Sequence, residues 1–133
     1  PRREAYPHAR APVPRHASPV EPRPVITPEE FGAVDLRVGI VREVRPFPEA
    51  RKPAWQLRVD FGVEIGELWT SAQVTTYAED ELVGRRVVGA VNLGTRRIAG
   101  FESRFLLLGA VQADGTVVLL DVADGAAPGS RIA

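Results

Sequence analysis

Leu36-Arg37-Val38-Gly39-Ile40-Val41-Arg42-Glu43-Val44-Arg45 is the stretch on which the fold turns. Apolar residues at 36, 38 and 40 alternate with Arg37 and Gly39, and Val44 follows among Arg42, Glu43 and Arg45. A period of two sends successive side chains to opposite faces, so the pattern predicts a half-buried strand. Gly39 inside it predicts a bulge or sharp bend, as a strand that closes a small barrel needs.

Upstream, Thr27-Pro28-Glu29-Glu30-Phe31 predicts a helix start, with Thr27 as N-cap, Pro28 at the first helical position and Glu30 closing a capping box. Gly32 keeps that helix short. Residues 1–26 hold seven of the twelve prolines, both histidines (His8 and His16), and five arginines against two glutamates. This composition predicts a disordered, extended tail, leaving one domain over residues 27–133.

Downstream, Pro46-Phe47-Pro48-Glu49-Ala50-Arg51-Lys52-Pro53 carries three prolines and predicts a loop. Trp55, Leu57, Val59 and Phe61 alternate with Gln56, Arg58 and Asp60, giving a second strand. A glycine-bounded turn over 62–66 leads to a third strand over 68–73. Residues 75–82 read as helical or turn-like, with Gly84 suited to the position after a helix end. A fourth strand is expected over 86–92, a loop over 93–102 and a fifth strand over 104–111. Asp114-Gly115 is a hairpin signal that returns the chain through 117–122. Ser130-Arg131-Ile132 is a closing strand candidate. Short strands with glycine-rich turns and one helix between the third and fourth predict an all-β protein with minor helix: a five-stranded OB-fold barrel.

The 133 residues carry seventeen basic and seventeen acidic groups, so net charge grips nothing. There is no cysteine, and the histidines lie in the tail. The domain therefore lacks the parts for a Ser-His-Asp triad, a Cys-His pair or a Cys/His zinc site, and no enzyme, metal or cofactor is expected. No Walker A or G-x-G-x-x-G pattern occurs. No apolar run approaches the ~18 residues of a spanning helix, so no membrane insertion is expected.

The charge is nevertheless blocky. Residues 36–58 net +4, residues 59–84 net −6 and residues 85–104 net +4. On an OB barrel the two basic blocks can share one side and meet a phosphate backbone. Phe47 and Phe101 fall in predicted loops and are the expected exposed aromatics, whereas the alternation around Trp55 and Trp69 favours core or interface for both. Asn92 is the lone asparagine and reads either as turn chemistry or as a groove contact.

Several segments in order carry a resemblance: Val38-Gly39-Ile40-Val41, residues 47–55 with Phe47-Pro48 at their head, Asp60-Phe61-Gly62, Ser71-Ala72-Gln73, Glu81-Leu82-Val83-Gly84-Arg85, Val91-Asn92-Leu93, Arg96-Arg97-Ile98-Ala99-Gly100-Phe101-Glu102-Ser103 and Gly129-Ser130-Arg131-Ile132. Together they resemble the CsaA-type export-related chaperones, a branch of the tRNA-binding-domain family. Phe47-Pro48 stands where many family members carry His-Pro, and Ser71-Ala72-Gln73 where many carry Ser-Gly-Leu; both departures match the CsaA branch. The resemblance implies a cytoplasmic homodimer whose terminal helix (residues 27–34) and strands (residues 116–132) build the interface. It implies a chaperone of unfolded or precursor polypeptides, acting beside the export motor, with Phe47, Arg51, Trp55 and Phe101 as the peptide site. The alternative it implies is tRNA or other RNA binding through Ser71, Asn92, Arg96, Arg97, Gly100 and Ser103, with Arg51 and Lys52 adding charge.

Overall fold

The computed structural model describes residues 21–133. Most of the expected tail, with His8 and His16, lies outside the described residues; residues 21–26 are exposed and without regular secondary structure. The chain divides into two compact units between Ala33 and Val34, and the helix lies in the first. That helix, α1 (Pro28–Gly32), starts as its sequence dictates. Thr27 Oγ1 accepts from the Glu30 amide at 3.1 Å, and Glu30 returns a carboxylate oxygen to the Thr27 amide at 2.8 Å.

The second unit is a curled sheet with short additions. Its strands are β1 (Leu36–Pro46), β2 (Trp55–Asp60), β3 (Glu67–Ala72), β4 (Arg86–Ala90) and later β7 (Leu106–Leu107), in the order β3-β2-β1-β4-β7 with antiparallel neighbours. One-turn helices α2 (Gly62–Ile65) and α3 (Glu79–Leu82) sit before and after β3, the first where only a turn was expected. Two hairpins, β5 (Arg96–Ile98) with β6 (Phe101–Ser103) and β8 (Gly109–Val111) with β9 (Val117–Leu119), complete it. The expected fifth strand is thus split into β7 and β8. The expected loop over 93–102 contains a hairpin, turned by Ala99 (φ 47°) and Gly100 (φ 82°). The arrangement is a nearly closed five-stranded barrel of OB type.

The bulge lies three residues beyond Gly39. Val41 pairs with Val59 and Glu43 with Arg58, so Arg42 is the extra residue, and it lets Val41 and Val44 both reach the core. Gly39 has a different task. A Cβ there would collide with Val59 and Phe61, and one at Gly89 would come within 2.8 Å of Phe61 and Phe105. The two glycines clear space for Phe61 and Phe105, which meet edge-on at 4.9 Å between centroids. Gly39 and Val41 therefore face the core, and Val38 is buried on the opposite face of β1, beside Gly129 and Ser130, whose backbones bond its own. The expected closing strand survives as one bridge, Arg37 to Arg131.

The barrel closes along a seam of hydrogen bonds between β3 and the residues just after β6. The Arg104 amide donates to the Trp69 carbonyl at 2.8 Å. Beside it the Ser71 amide donates to Ser103 Oγ (3.2 Å), Ser103 bonds Thr70 Oγ1 (2.9 Å), and Thr70 Oγ1 donates to the Phe105 carbonyl (2.7 Å). With Thr70 donating to the carbonyl, the proton between the hydroxyls belongs to Ser103, so each buried group is satisfied.

Candidate functional site

The register of β1, β2 and β3 decides which side chains share the barrel's outer face. Arg45 pairs with Gln56 and Gln56 with Ser71, making one row. Glu43 pairs with Arg58 and Arg58 with Trp69, making the next. Leu57, Val59 and Thr70 occupy the alternate positions and are buried. The rows are thus polar or aromatic because they are the half of each strand that the core does not use.

A groove of about 430 Å³ crosses this face, lined by Arg45, Gln56, Trp69, Phe101, Glu102 and Arg104. The Arg45 guanidinium lies over the Trp69 ring, 4.7 Å from its centroid. Phe101 meets Trp69 edge-on (6.2 Å, 89°) and meets Phe47 at 5.3 Å. The charges are cross-linked: Glu43 accepts from Arg45 (2.6 Å) and Arg58 (3.0 Å), Arg58 also reaches Glu67 (2.8 Å), and Glu102 bridges Arg97 (2.8 Å) and Arg104 (3.2 Å). The Arg45 guanidinium, then that of Arg58, holds the Glu43 carboxyl below its ordinary range. Arg96, Arg51 and Lys52 are exposed and have no ion-pair partner among the described residues. The side chains of Gln56 and Ser71 likewise make no hydrogen bond among them.

The expected site residues separate into three groups. Ser71, Arg97 and Phe101 stand at or beside the groove, and Arg96 and Gly100 lie on its hairpin. Ser103 is at the seam, but its hydroxyl is buried and spent on Thr70 and Ser71. Asn92 stands at the other end of β1 from Arg45, where its Oδ1 accepts from the Asp35 amide at 2.8 Å, a long-range bond and not local turn chemistry. The exposed position expected for Phe47 is corrected, whereas Trp55 takes the core position that its alternation favoured. Phe47 is buried at 5% exposure because its loop folds the ring against Phe101. Trp55 points inward, packs on the core and donates Nε1–H to the Tyr77 carbonyl at 3.0 Å. The residues 47–55 therefore offer exposed Arg51 and Lys52 but no aromatic wall. Trp69, read as core or interface, is the groove's central ring; its position between buried Thr70 and the inward Leu68 was the available signal.

The two basic blocks meet only in part. Arg45 and Arg104, one from each block, line the same groove. Arg85 and Arg86 belong to a separate depression with Asp121 and Asp124, where Arg85 pairs with Asp121 at 2.7 Å and Arg86 donates to the Ala126 carbonyl at 2.8 Å. Arg37 and Arg42 are taken up by Asp35 and Asp60.

A family model described as a putative tRNA binding domain matches residues 36–131. The methionine–tRNA ligase of Porphyromonas gingivalis is 38% identical over 104 residues, 78% of this chain and 15% of the ligase; that of Methanosarcina acetivorans is 35% identical over 114 residues, 86% of this chain and 16% of the ligase. The chain spans only those small shares of the ligases it matches. Among solved structures, the CsaA chaperone protein of Picrophilus torridus superposes with a TM-score of 0.77 at 46% identity, covering 82% of this chain and 100% of the other. The chaperone CsaA of Bacillus anthracis gives 0.78 at 40% identity, covering 83% and 100%. The chain belongs to the tRNA-binding-domain family, and within it to the CsaA-type branch.

Proposed function

We propose that the chain is a non-enzymatic RNA-binding protein that holds structured RNA, tRNA first, on the outer face of β1–β3 and the β5–β6 hairpin. One observation carries the reading: a guanidinium stacked on an indole at 4.7 Å, inside a groove lined by arginines from two distant sequence blocks. Stacking planes beside backbone-tracking cations are how OB barrels grip unpaired nucleic acid. Family membership supports tRNA as the class, and Arg96, Arg51 and Lys52 are cations with no carboxylate to displace among the described residues. The test is bulk tRNA titrated across a salt series. Affinity is expected to fall steeply with salt, and Arg96→Ala with Arg97→Ala to weaken binding across sequences and flatten the log–log salt slope by roughly 1–2. Salt-insensitive or absent binding contradicts the reading.

The second reading is a CsaA-like chaperone for unfolded or precursor polypeptides in export, with the export motor as a partner. It is favoured by similarity to two proteins described as CsaA chaperones over their whole lengths. Trp69 and Phe101, with Arg51 nearby in sequence to the groove strands, take the place of the expected Phe47–Trp55 wall. RNA stands ahead because the open surface above Trp69 is a guanidinium, which aliphatic side chains gain little by covering. Client binding that persists in salt and falls with Trp69→Ala would reverse the order. Homodimerisation and a cytoplasmic setting are part of the proposal. Exposed Val111, Val118 and Leu120, within the expected interface segment or beside it, and Phe31 and Val34 on or beside the terminal helix are among the apolar side chains open to self-association. Sedimentation at micromolar concentration should give a dimer, and a monomer contradicts that part.

A further inference from the structure

The row Arg45–Gln56–Ser71 contains more specific chemistry than a general basic face. Arg45 is fixed from two sides, by the Trp69 ring beneath it and by the Glu43 carboxylate at 2.6 Å on Nε, yet its side chain is 56% exposed. It presents a flat cation to solvent without having to pay for its own ordering when a ligand arrives. Its cross-strand neighbour Gln56 carries an amide with no hydrogen-bond partner among the described residues, and Ser71, next in the row, a hydroxyl in the same condition. Gln56 lines the groove with Arg45. At about 430 Å³ the groove is at the small end of ligand pockets.

We propose that this row is the seat of a single unpaired nucleobase, stacked on the open face of the Arg45 guanidinium with its edge read by the Gln56 amide and the Ser71 hydroxyl. The inference rests on the RNA reading and sharpens it from a phosphate-gripping face to a base-selective one. A delocalised ring gains from a cationic plane where an aliphatic side chain does not. A paired base has both faces stacked and its pairing edge taken, so the seat selects loops, bulges or single strands. A primary amide offers one donor and one acceptor side by side, a pair that any unpaired base can meet on one of its edges, the N6/N7 edge of adenine among them. Stacking then sets the preference: a purine covers more of the guanidinium than a pyrimidine, so adenine is preferred to uracil.

The experiment uses the full chain with oligo(A), oligo(U) of equal length, a duplex of the two, bulk tRNA and an unfolded polypeptide. Arg45→Lys keeps the charge and removes the plane; Gln56→Leu keeps approximate volume and removes the amide. Oligo(A) is expected to bind more tightly than oligo(U) or the duplex. Arg45→Lys should weaken oligo(A) about tenfold, within the range for one base stack, while leaving the tRNA salt slope unchanged. Gln56→Leu should weaken oligo(A) and oligo(U) alike, because either base can use the amide. Both substitutions lie on the outer face, and a matching thermal transition for either variant is enough to score it. Equal affinity of both variants and wild type for oligo(A), with tRNA still bound, overturns the base seat and leaves the RNA reading standing. No binding of any RNA by folded wild type removes the RNA reading and the seat with it. Capture of the polypeptide alone, lost in Arg45→Lys, assigns the row to a peptide side chain and equally overturns the proposal.

Discussion

The inner and outer faces of β2 and β3 are made from alternate residues of the same strands, and they answer to different constraints. Inward, Leu57, Val59 and Thr70 are almost wholly buried and every polar atom is satisfied. Outward, Gln56, Arg58, Trp69 and Ser71 are partly exposed, and the Gln56 amide, the Ser71 hydroxyl and the Trp69 indole N–H make no hydrogen bond among the described residues. The inner face is closed chemistry, complete without a ligand. The outer face has ordered its charges through Glu43 and Glu102 but has left donors, acceptors and a stacking plane unspent. The two tryptophans divide in the same way: Trp55 gives its N–H to the Tyr77 carbonyl inside, while Trp69 takes a guanidinium outside.

The comparison predicts that damage to one face leaves the other's property intact, except at the seam, through which the inner Thr70 supports the β5–β6 hairpin of the outer site. Leu57→Ala, at a site with 0% exposure, should cost about 2–5 kcal/mol of stability in denaturant melts. RNA affinity per folded molecule should be unchanged; a parallel loss of affinity would break the separation. Thr70→Val removes the middle of the seam and leaves the Phe105 carbonyl and a Ser103 hydroxyl without their partner, costing about 1–3 kcal/mol. Because that seam carries the β5–β6 hairpin, this inner change should also lower RNA binding, and hydrogen exchange should locate the loosening at residues 101–105. Trp69→Ala is the converse: tRNA binding weaker by about 1–3 kcal/mol of stacking, measured by titration, with stability little altered.

Two smaller effects refine the picture. Ala99 holds φ 47° in the hairpin turn, a conformation that asparagine tolerates better before glycine. Ala99→Asn should raise stability by roughly 1 kcal/mol without changing affinity. Glu43 titrates below its ordinary value of 4.5 because Arg45 and Arg58 hold its charged form. Its stabilisation is complete above that ordinary value and is lost as pH falls through the lower folded one. Asp60, lowered by the Gly62 amide and then Arg42, acts in the same direction, losing its stabilisation as pH falls below its own ordinary value of 3.8. Glu43→Gln should therefore flatten the acid limb of a pH–stability curve in part, and an unchanged limb would remove Glu43 from the ordering of the outer face.

What was legible in the sequence was the period. Alternation located β1 and β2, and Asp114-Gly115 located the β8–β9 hairpin. Periodicity does not say which alternate set faces inward. On β1 the bulge at Arg42 and the rings of Phe61 and Phe105 settle that, both contacts distant in sequence. The β5–β6 hairpin was hidden because its strands are three residues each, half of them charged, and its turn is Ala-Gly, not Asn-Gly. Phe47 was misplaced because a proline-rich loop reads as exposed, whereas its ring is held by Phe101, fifty-four positions on. The site followed suit: the arginines and Ser71 were visible as residue types, but the Arg45–Trp69 stack exists only through the β1–β2–β3 register.

The central claim, that RNA occupies the outer face at Trp69, is tested most directly with the two tryptophans as separate reporters. Trp55→Phe leaves Trp69 as the sole indole, and Trp69→Phe leaves Trp55. Titrated with tRNA, the protein retaining Trp69 should lose fluorescence in step with binding, and the protein retaining Trp55 should change little. Binding that leaves Trp69 unquenched, or that quenches Trp55 instead, would contradict the account.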